Sequence, residues 1–328
     1  MTFLACRVDE VDGKVCFDLA QQEEQILAEN EVIIDIEFSG INFKDALGVL
    51  GKGKIYTHYP ITAGIDCAGV VESSSDNRFK TGDRVLVNGC GLGENQDGGF
   101  AQKVKVPADW VIKMPEGLDP RTAMTIGTAG FTAALAIDRL EQNDQKPDQG
   151  PIVVTGASGG VGSFATSMLS TLGYEVIAIT GREVHKDYLL SMGASEVLSP
   201  EALKLGSRPL ESTRFAGVID NVGGDLLSGL IRHIHLWGNV ACIGMAADHR
   251  YQATVFPQIL RGVSLLGVSS ANCPMPRRSR VWQRIGKQLI PKNIQSIVDK
   301  EVALNDIAPC FNEILERRHR GRILVNCR

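Results

Sequence analysis

Three short stretches hold residues whose types and spacing could do chemistry. The first runs from Val154 to Gly162 (Val-Thr-Gly-Ala-Ser-Gly-Gly-Val-Gly) and closes an apolar run that begins at Ile152. A helix-like segment, Ser163 to Thr171, follows it. Glycines there allow backbone to approach a pyrophosphate, and the helix N-terminus offers unpaired N–H groups, so Ser158, Gly159, Gly160 and Val161 are expected to meet the phosphates of a dinucleotide. The second stretch is Thr180-Gly181-Arg182, at the end of the next strand-like run. An NAD-binding unit typically puts an acidic residue there to hold the ribose hydroxyls. A hydroxyl, a backbone N–H and a guanidinium suit a 2′-phosphate instead, so Thr180, Gly181 and Arg182, with Lys186 as a further candidate, predict NADPH as the cofactor. The third stretch is Asn42-Phe43-Lys44-Asp45. Asn42 and Asp45 are the candidate polar groups beside a reacting centre, and Phe43 could flank a nicotinamide ring. The alternative for Asp45 is to cap its short helix or to pair with Lys44 or Arg84.

The elements needed to position these residues follow from the pattern of the chain. Residues 1–122 read as short strands (31–38, 60–72, 80–87, 98–106) broken by Gly, Asp and Pro, as in a small barrel-like β domain with one helical stretch from Asn42 to Leu50. A helix start follows at Asp119-Pro120, interrupted by Gly127 and resumed over 130–140. From Ile152 onward strands (152–154, 175–180, 193–198, 215–220, 238–244, 264–269) alternate with helical segments (163–171, 186–192, 226–234, 255–260). That alternation is the signature of an α/β, doubly wound parallel sheet of six strands, here residues 123–268. Ligands bind such sheets at the carboxyl ends of the strands, which selects Asn221 after the fourth strand, Met245 after the fifth and Ser270 after the sixth, the last near a nicotinamide carboxamide. Residues 269–328 hold two helix candidates (279–289 and 307–318) and a final strand (321–326), and are expected to return to the first domain. The apolar sixth strand lies at a sheet edge, which favours pairing with a second copy as a homodimer.

Composition narrows the function classes. With 328 residues two domains are expected. A net charge of -4 leaves no nucleic-acid footprint, and no apolar run approaches the ~20 residues of a membrane span. The start Met1 to Arg7 lacks a basic opening and a long apolar run, so no signal peptide is expected. The eight cysteines are scattered with no Cys-x-x-Cys pair, which argues against a zinc lobe or a disulfide framework and fits a reducing cytoplasm. Two basic clusters stand out, at Arg277, Arg278 and Arg280 and at Arg317, Arg318 and Arg320.

Motifs spread along the whole chain carry a resemblance: Ser39 to Asp45, Gly64 to Val71, Thr81 to Val85, Gly127 to Ala133, Val154 to Gly162 and Asp220 to Gly224. They resemble the medium-chain dehydrogenase/reductase superfamily. Asn42 to Leu47, Thr180 to Arg182, Ile259 to Val263 and Trp282 to Arg284 make the chain most similar to its zinc-free quinone oxidoreductase branch, in particular the acryloyl-CoA reductase (NADPH) group. The resemblance implies a GroES-like β-rich catalytic domain joined to the six-stranded Rossmann domain, and Thr128 beside the nicotinamide. Zinc-dependent relatives place Cys at the position of Asn42 and His at that of Ile65. An amide is a poor zinc ligand and an alkyl chain is none, Cys90 is isolated, and Cys67 reads as a packed thiol, so no metal is expected. Without a Lewis acid, hydride addition to an activated double bond is easier than carbonyl chemistry. The resemblance therefore implies acryloyl-CoA as substrate, with Arg277, Arg278 and Arg280 as candidates for a cationic rim toward coenzyme A. The alternatives are a quinone or enone reductase and a non-catalytic NADPH-binding protein.

Overall fold

The computed structural model describes residues 2–23 and 26–328. The chain divides into two compact units: Met1–Thr128 with Ser270–Gly286 and Ile294–Arg328, and Ala129–Ser269 with Lys287–Asn293.

The first unit is built around the strand Glu31–Ile41, whose residues alternate between buried and half-buried from Glu31 to Ile36, as a half-covered strand requires. It pairs antiparallel with Asp66–Ser74, Lys103–Pro107 and Arg322–Asn326, so residues from far apart in the chain share one sheet. Arg84–Asn88 lies antiparallel to Asp66–Ser74, with Asn88 directly opposite Asp66. The strand Val298–Ala303 runs parallel to Arg322–Asn326 at the edge of this sheet. Apolar side chains from these strands, among them Ile34, Ile36, Val85, Ile323 and Val325, pack with Phe100 and Phe311 into one core. Sequence reasoning found no strand before Glu31. The structure has an antiparallel hairpin, Thr2–Val11 with Lys14–Glu23, closed at Asp12-Gly13. Both turn residues have positive φ (53° and 73°), as a two-residue hairpin loop that follows strand twist requires. The Asp-Gly pair was the available signal.

The second unit holds a parallel sheet in the spatial order Glu196–Leu198, Val176–Ile179, Ile152–Thr155, Phe215–Asp220, Ile234–Cys242, Ser264–Gly267. In sequence order this is third, second, first, fourth, fifth, sixth, the doubly wound arrangement whose strand order reverses beside the first strand. The strands are rich in Val and Ile because both faces are covered; Val153, Ile179, Val218 and Val240 are core residues. The expected six-stranded α/β sheet is therefore present. Several boundaries differ from expectation: the third strand is Glu196–Leu198 rather than 193–198, the helix expected over 163–171 starts at Gly160, the helix expected over 226–234 is Gly224–Ile231, and the fifth strand opens at Ile234 rather than 238. An unbroken apolar run does not by itself distinguish helix from strand.

Candidate active site and dinucleotide cradle

In the first unit the polar candidates gather around Asp66, a residue that sequence reasoning passed over. Its carboxylate is fully buried and accepts the Asn42 amide (2.8 Å), the Thr128 backbone N–H (2.9 Å) and the Thr128 hydroxyl (2.5 Å). Its counter-charge is Arg322, 2% exposed, at 3.4 Å. Arg322 also donates to the Asn42 side-chain oxygen (2.9 Å), to Ile41 O (3.1 Å) and to Thr125 O (3.2 Å). Thr125 O is available because Gly127 leaves helical geometry, with φ 49° and ψ −157°, and interrupts the helix Pro120–Gln142. A Cβ at residue 127 would lie 2.6 Å from the Arg322 guanidinium and 2.7 Å from the Asp66 carboxylate, so only glycine fits. Asn42 thus bridges an anion and a cation: its amide N–H donates to Asp66 and its oxygen accepts from Arg322.

Asp45 closes the other side of this network. It is 2% exposed, and it accepts the Asn42 backbone N–H (2.8 Å) and the Ile65 backbone N–H (3.0 Å). The structure therefore gives Asp45 the cap of the helix Phe43–Val49, while Lys44 pairs with Glu94 at 2.9 Å. Burial first, and the nearby Asp66 charge second, push the Asp45 carboxyl up to about 7. Burial also lowers the Arg322 guanidinium below its ordinary value. Phe43, at the first turn of the helix, is exposed.

The basic cluster at 277–280 departs from expectation. Arg278 has no exposed surface, so it cannot stand on a cationic rim toward coenzyme A; the helix Met275–Arg284 points it inward, where it donates to backbone carbonyls. Arg280 is exposed and Arg277 is half-buried. Of the cysteines noted above, Cys67 is buried and Cys90 is half-buried with its sulfur 3.8 Å from that of Met275.

In the second unit the glycine stretch folds as a strand, a tight turn and a helix. Ile152–Thr155 is followed by the helix Gly160–Thr171, whose N-cap, Gly159, supplies no side-chain cap. The first N–H groups of that helix thus remain available for an anion. Gly162 lies so close to the preceding turn that a Cβ there would come within 2.5 Å of Ala157 Cα. Beside this turn Ser158, Thr180 and Arg182 converge. The Ser158 and Thr180 hydroxyl oxygens are 3.2 Å apart, Arg182 reaches the Ser158 oxygen at 3.2 Å, and the Arg182 N–H donates to the Thr180 oxygen (3.3 Å). Next to them Gly181 leaves open space around its Cα. Lys186 turns to Glu183 at 3.5 Å.

Asn221 is fixed from two sides: its backbone N–H donates to the Thr155 hydroxyl (2.9 Å) and its side-chain amide to Thr155 O (2.7 Å). The Thr155 hydroxyl in turn donates to buried Asp220 (2.7 Å), whose carboxyl is raised above the ordinary range by burial. The side-chain oxygen of Asn221 is buried with no hydrogen-bond partner, an acceptor awaiting a donor. Met245, after the fifth strand, is 61% exposed, and Ser270, after the sixth, is half-buried. A cradle that excludes a Cβ, a cluster of hydroxyl and guanidinium donors and an orphaned acceptor together fit a phosphorylated dinucleotide.

Comparison with known proteins agrees with this geometry. Residues 28–116 match the alcohol dehydrogenase GroES-like domain family, and residues 160–286 match the zinc-binding dehydrogenase family. YhfP of Bacillus subtilis, provisionally named a quinone oxidoreductase, is 45% identical over 300 residues, 91% of each chain. Acrylyl-CoA reductase AcuI of Ruegeria pomeroyi is 42% identical over 319 residues, 97% of this chain and 96% of that one. Crystal structures of Escherichia coli YhdH with bound NADPH (TM-score 0.94, 43% identity, 99% and 100% of the chains covered) and of Bacillus subtilis yhfP with NAD bound (TM-score 0.95, 42% identity, 99% of each) superpose on it. The chain belongs to the medium-chain dehydrogenase/reductase superfamily. Within that class it falls in the quinone oxidoreductase-like branch, among proteins named acrylyl-CoA reductases and quinone oxidoreductases.

Proposed function

We propose that the protein is an NADPH-dependent reductase of an activated carbon–carbon double bond, with acryloyl-CoA as substrate and propionyl-CoA as product. The observation that carries the cofactor is the cluster of Ser158, Thr180 and Arg182, three donors converging where a carboxylate would face NAD. NADPH supplies a hydride for the β-carbon, and solvent supplies the proton that the α-carbon takes up. The chain's own residues bind, orient and exclude water. Ser158 to Val161 and the N-terminus of the helix Gly160–Thr171 hold the pyrophosphate, and the Asn221 oxygen accepts a hydrogen bond from the ligand. Phe43, Thr128, Met245 and Ser270 complete the cofactor contacts. Asn42 is the polar group nearest the chemistry, and Asp45, held by two backbone N–H groups, is a positioning residue.

The same geometry supports a metal-free site. The Asn42 amide is committed to Asp66, and the Arg322 guanidinium already provides the buried positive charge that a divalent cation would bring. The name of AcuI supports acryloyl-CoA; the provisional name of YhfP supports quinone reduction as the second reading. Rates of NADPH oxidation with acryloyl-CoA, crotonyl-CoA and a benzoquinone decide between them, and a higher kcat/KM for the quinone reverses the choice. A homodimer is part of the proposal. Ser264–Gly267 is an edge strand, and Leu236, Trp237, Val255, Ile259 and Leu260 of the same unit are each more than half exposed, an apolar surface that a second copy would cover. Among the described residues no helix is long and apolar enough to cross a membrane, and a cytoplasmic location is proposed from the cysteine pattern.

A further inference from the structure

Arg278 is among the largest fully buried side chains of the molecule, and the cofactor contacts proposed above do not use it. Its guanidinium reaches two separate segments. One nitrogen donates to Asn88 O (2.5 Å); the other donates to Ser270 O (2.8 Å), Ala271 O (2.9 Å) and Cys273 O (3.3 Å). One turn further along the same helix Trp282 donates its indole N–H to the Asn88 side-chain oxygen (2.9 Å). Asn88 lies opposite Asp66 in the sheet, and its amide is 3.5 Å from the Thr128 hydroxyl. The turn at 270–273 has a second donor on the same carbonyl: the Cys90 N–H donates to Ala271 O (3.0 Å). Gly89, at φ +67°, allows this approach, since a Cβ there would lie 3.0 Å from Ala271 Cα and 3.3 Å from the guanidinium.

We infer that Arg278 is a positioning residue for the nicotinamide half of the dinucleotide, fixing the turn that carries Ser270 against the strand end opposite Asp66. The inference rests on the NADPH reading. A planar fork serves carbonyls of two segments through separate nitrogens; a lysine ammonium offers its three N–H donors from a single nitrogen and does not reproduce that span. Arg278→Lys keeps the charge but frees the turn. A misplacement of ~1 Å in a reacting pair costs about a hundredfold in rate.

The test compares wild type, Arg278→Lys and Gly89→Ala by calorimetric titration with NADPH and, separately, with 2′,5′-ADP, which lacks the nicotinamide half. Both variants are expected to bind NADPH about tenfold more weakly, equivalent to ~1.4 kcal/mol, and to bind 2′,5′-ADP as wild type does. kcat with acryloyl-CoA should fall as well. Wild-type affinity for NADPH in Arg278→Lys overturns the inference, as does an equal loss of both ligands, which would mark a general loss of structure. Should Arg278→Lys fail to fold, Gly89→Ala decides alone, because its Cβ presses on the same turn at Ala271 and on the guanidinium that holds it. Failure of the wild-type chain to bind NADPH would overturn the reading beneath the inference, and the inference with it.

Discussion

Around Asp66 in the first unit the polar side chains are committed to one another; around the glycine turn of the second unit some polar groups are left for a ligand. Around Asp66 the carboxylate, the Asn42 amide, the Thr128 hydroxyl and the Arg322 guanidinium all find partners inside the protein. Around Gly159 the groups left for a ligand are backbone N–H donors and the unpartnered Asn221 oxygen, beside the mutually bonded Ser158, Thr180 and Arg182. Buried charges are costly unless paired and hydrogen-bonded, so the first arrangement buys rigidity and uniqueness of geometry. A helix terminus and a glycine turn are tolerable empty in water and become satisfied by ligand, so the second arrangement is a receptor. Variants of the Asp66–Arg322 pair should therefore register as stability, and variants of the Ser158, Thr180 and Arg182 cluster as affinity.

The strongest break of that contrast is Arg322→Met. It strands the Asp66 carboxylate in the interior, and is expected to cost about 3–5 kcal/mol in urea unfolding. A loss below about 1 kcal/mol would mean that the pair does not hold the network. Arg182→Ala should do the opposite: unfolding unchanged within about 0.5 kcal/mol, but the kcat/KM preference for NADPH over NADH reduced by roughly ten- to a hundredfold, the worth of a charge-assisted hydrogen bond. Undiminished preference would remove Arg182 from the cofactor site, and the NAD-bound structure of yhfP makes this measurement pointed.

A graded effect is expected from pH. The folded state raises the Asp45 carboxyl to about 7 from an ordinary value near 4, so it favours the protonated form. The stability contributed this way is fully present below about pH 4 and is lost as pH rises through about 7, with a slope of at most ~1.4 kcal/mol per pH unit. Unfolding midpoints measured from pH 4 to 8 should show this trend in the wild type and a flatter profile in Asp45→Asn; parallel profiles would contradict it. Least of all should change in Trp237→Ser, whose monomer is expected to unfold like wild type within about 0.5 kcal/mol. Its effect should appear in sedimentation as a weaker dimer, and a wild-type chain that sediments as a monomer at micromolar concentration would refute the proposed pairing.

The parts of this arrangement that lie close together in sequence were legible in advance. The glycine turn, the Thr180 to Arg182 strand end and the alternation of strands and helices are local patterns, and the sheet formed from them as read. Gly127 was legible as an interruption, though not as the opening that frees carbonyls for Arg322. Asp66 was hidden inside an apolar strand, where nothing in composition separates a structural carboxylate from a surface one. Arg278 was read as a surface cation because it sits among other arginines; only the rotation of the helix Met275–Arg284 sends it inward. Such assignments depend on tertiary packing, which short windows of sequence do not encode. The long fifth strand failed for a related reason, since Ile234 continues an apolar run already begun in the helix.

The strand Arg322–Asn326 lies beside Glu31–Ile41, and Arg322 meets Asp66 across 256 positions of chain. Most of the second unit, Ala129–Ser269, is one uninterrupted stretch lying between those partners. Contacts of such long separation are closed late, because the entropy of the intervening loop must be overcome before the contact can stabilise anything. In refolding, the dinucleotide cradle should therefore mature before the Asp66 network, so cofactor binding should return before the geometry that orients a substrate.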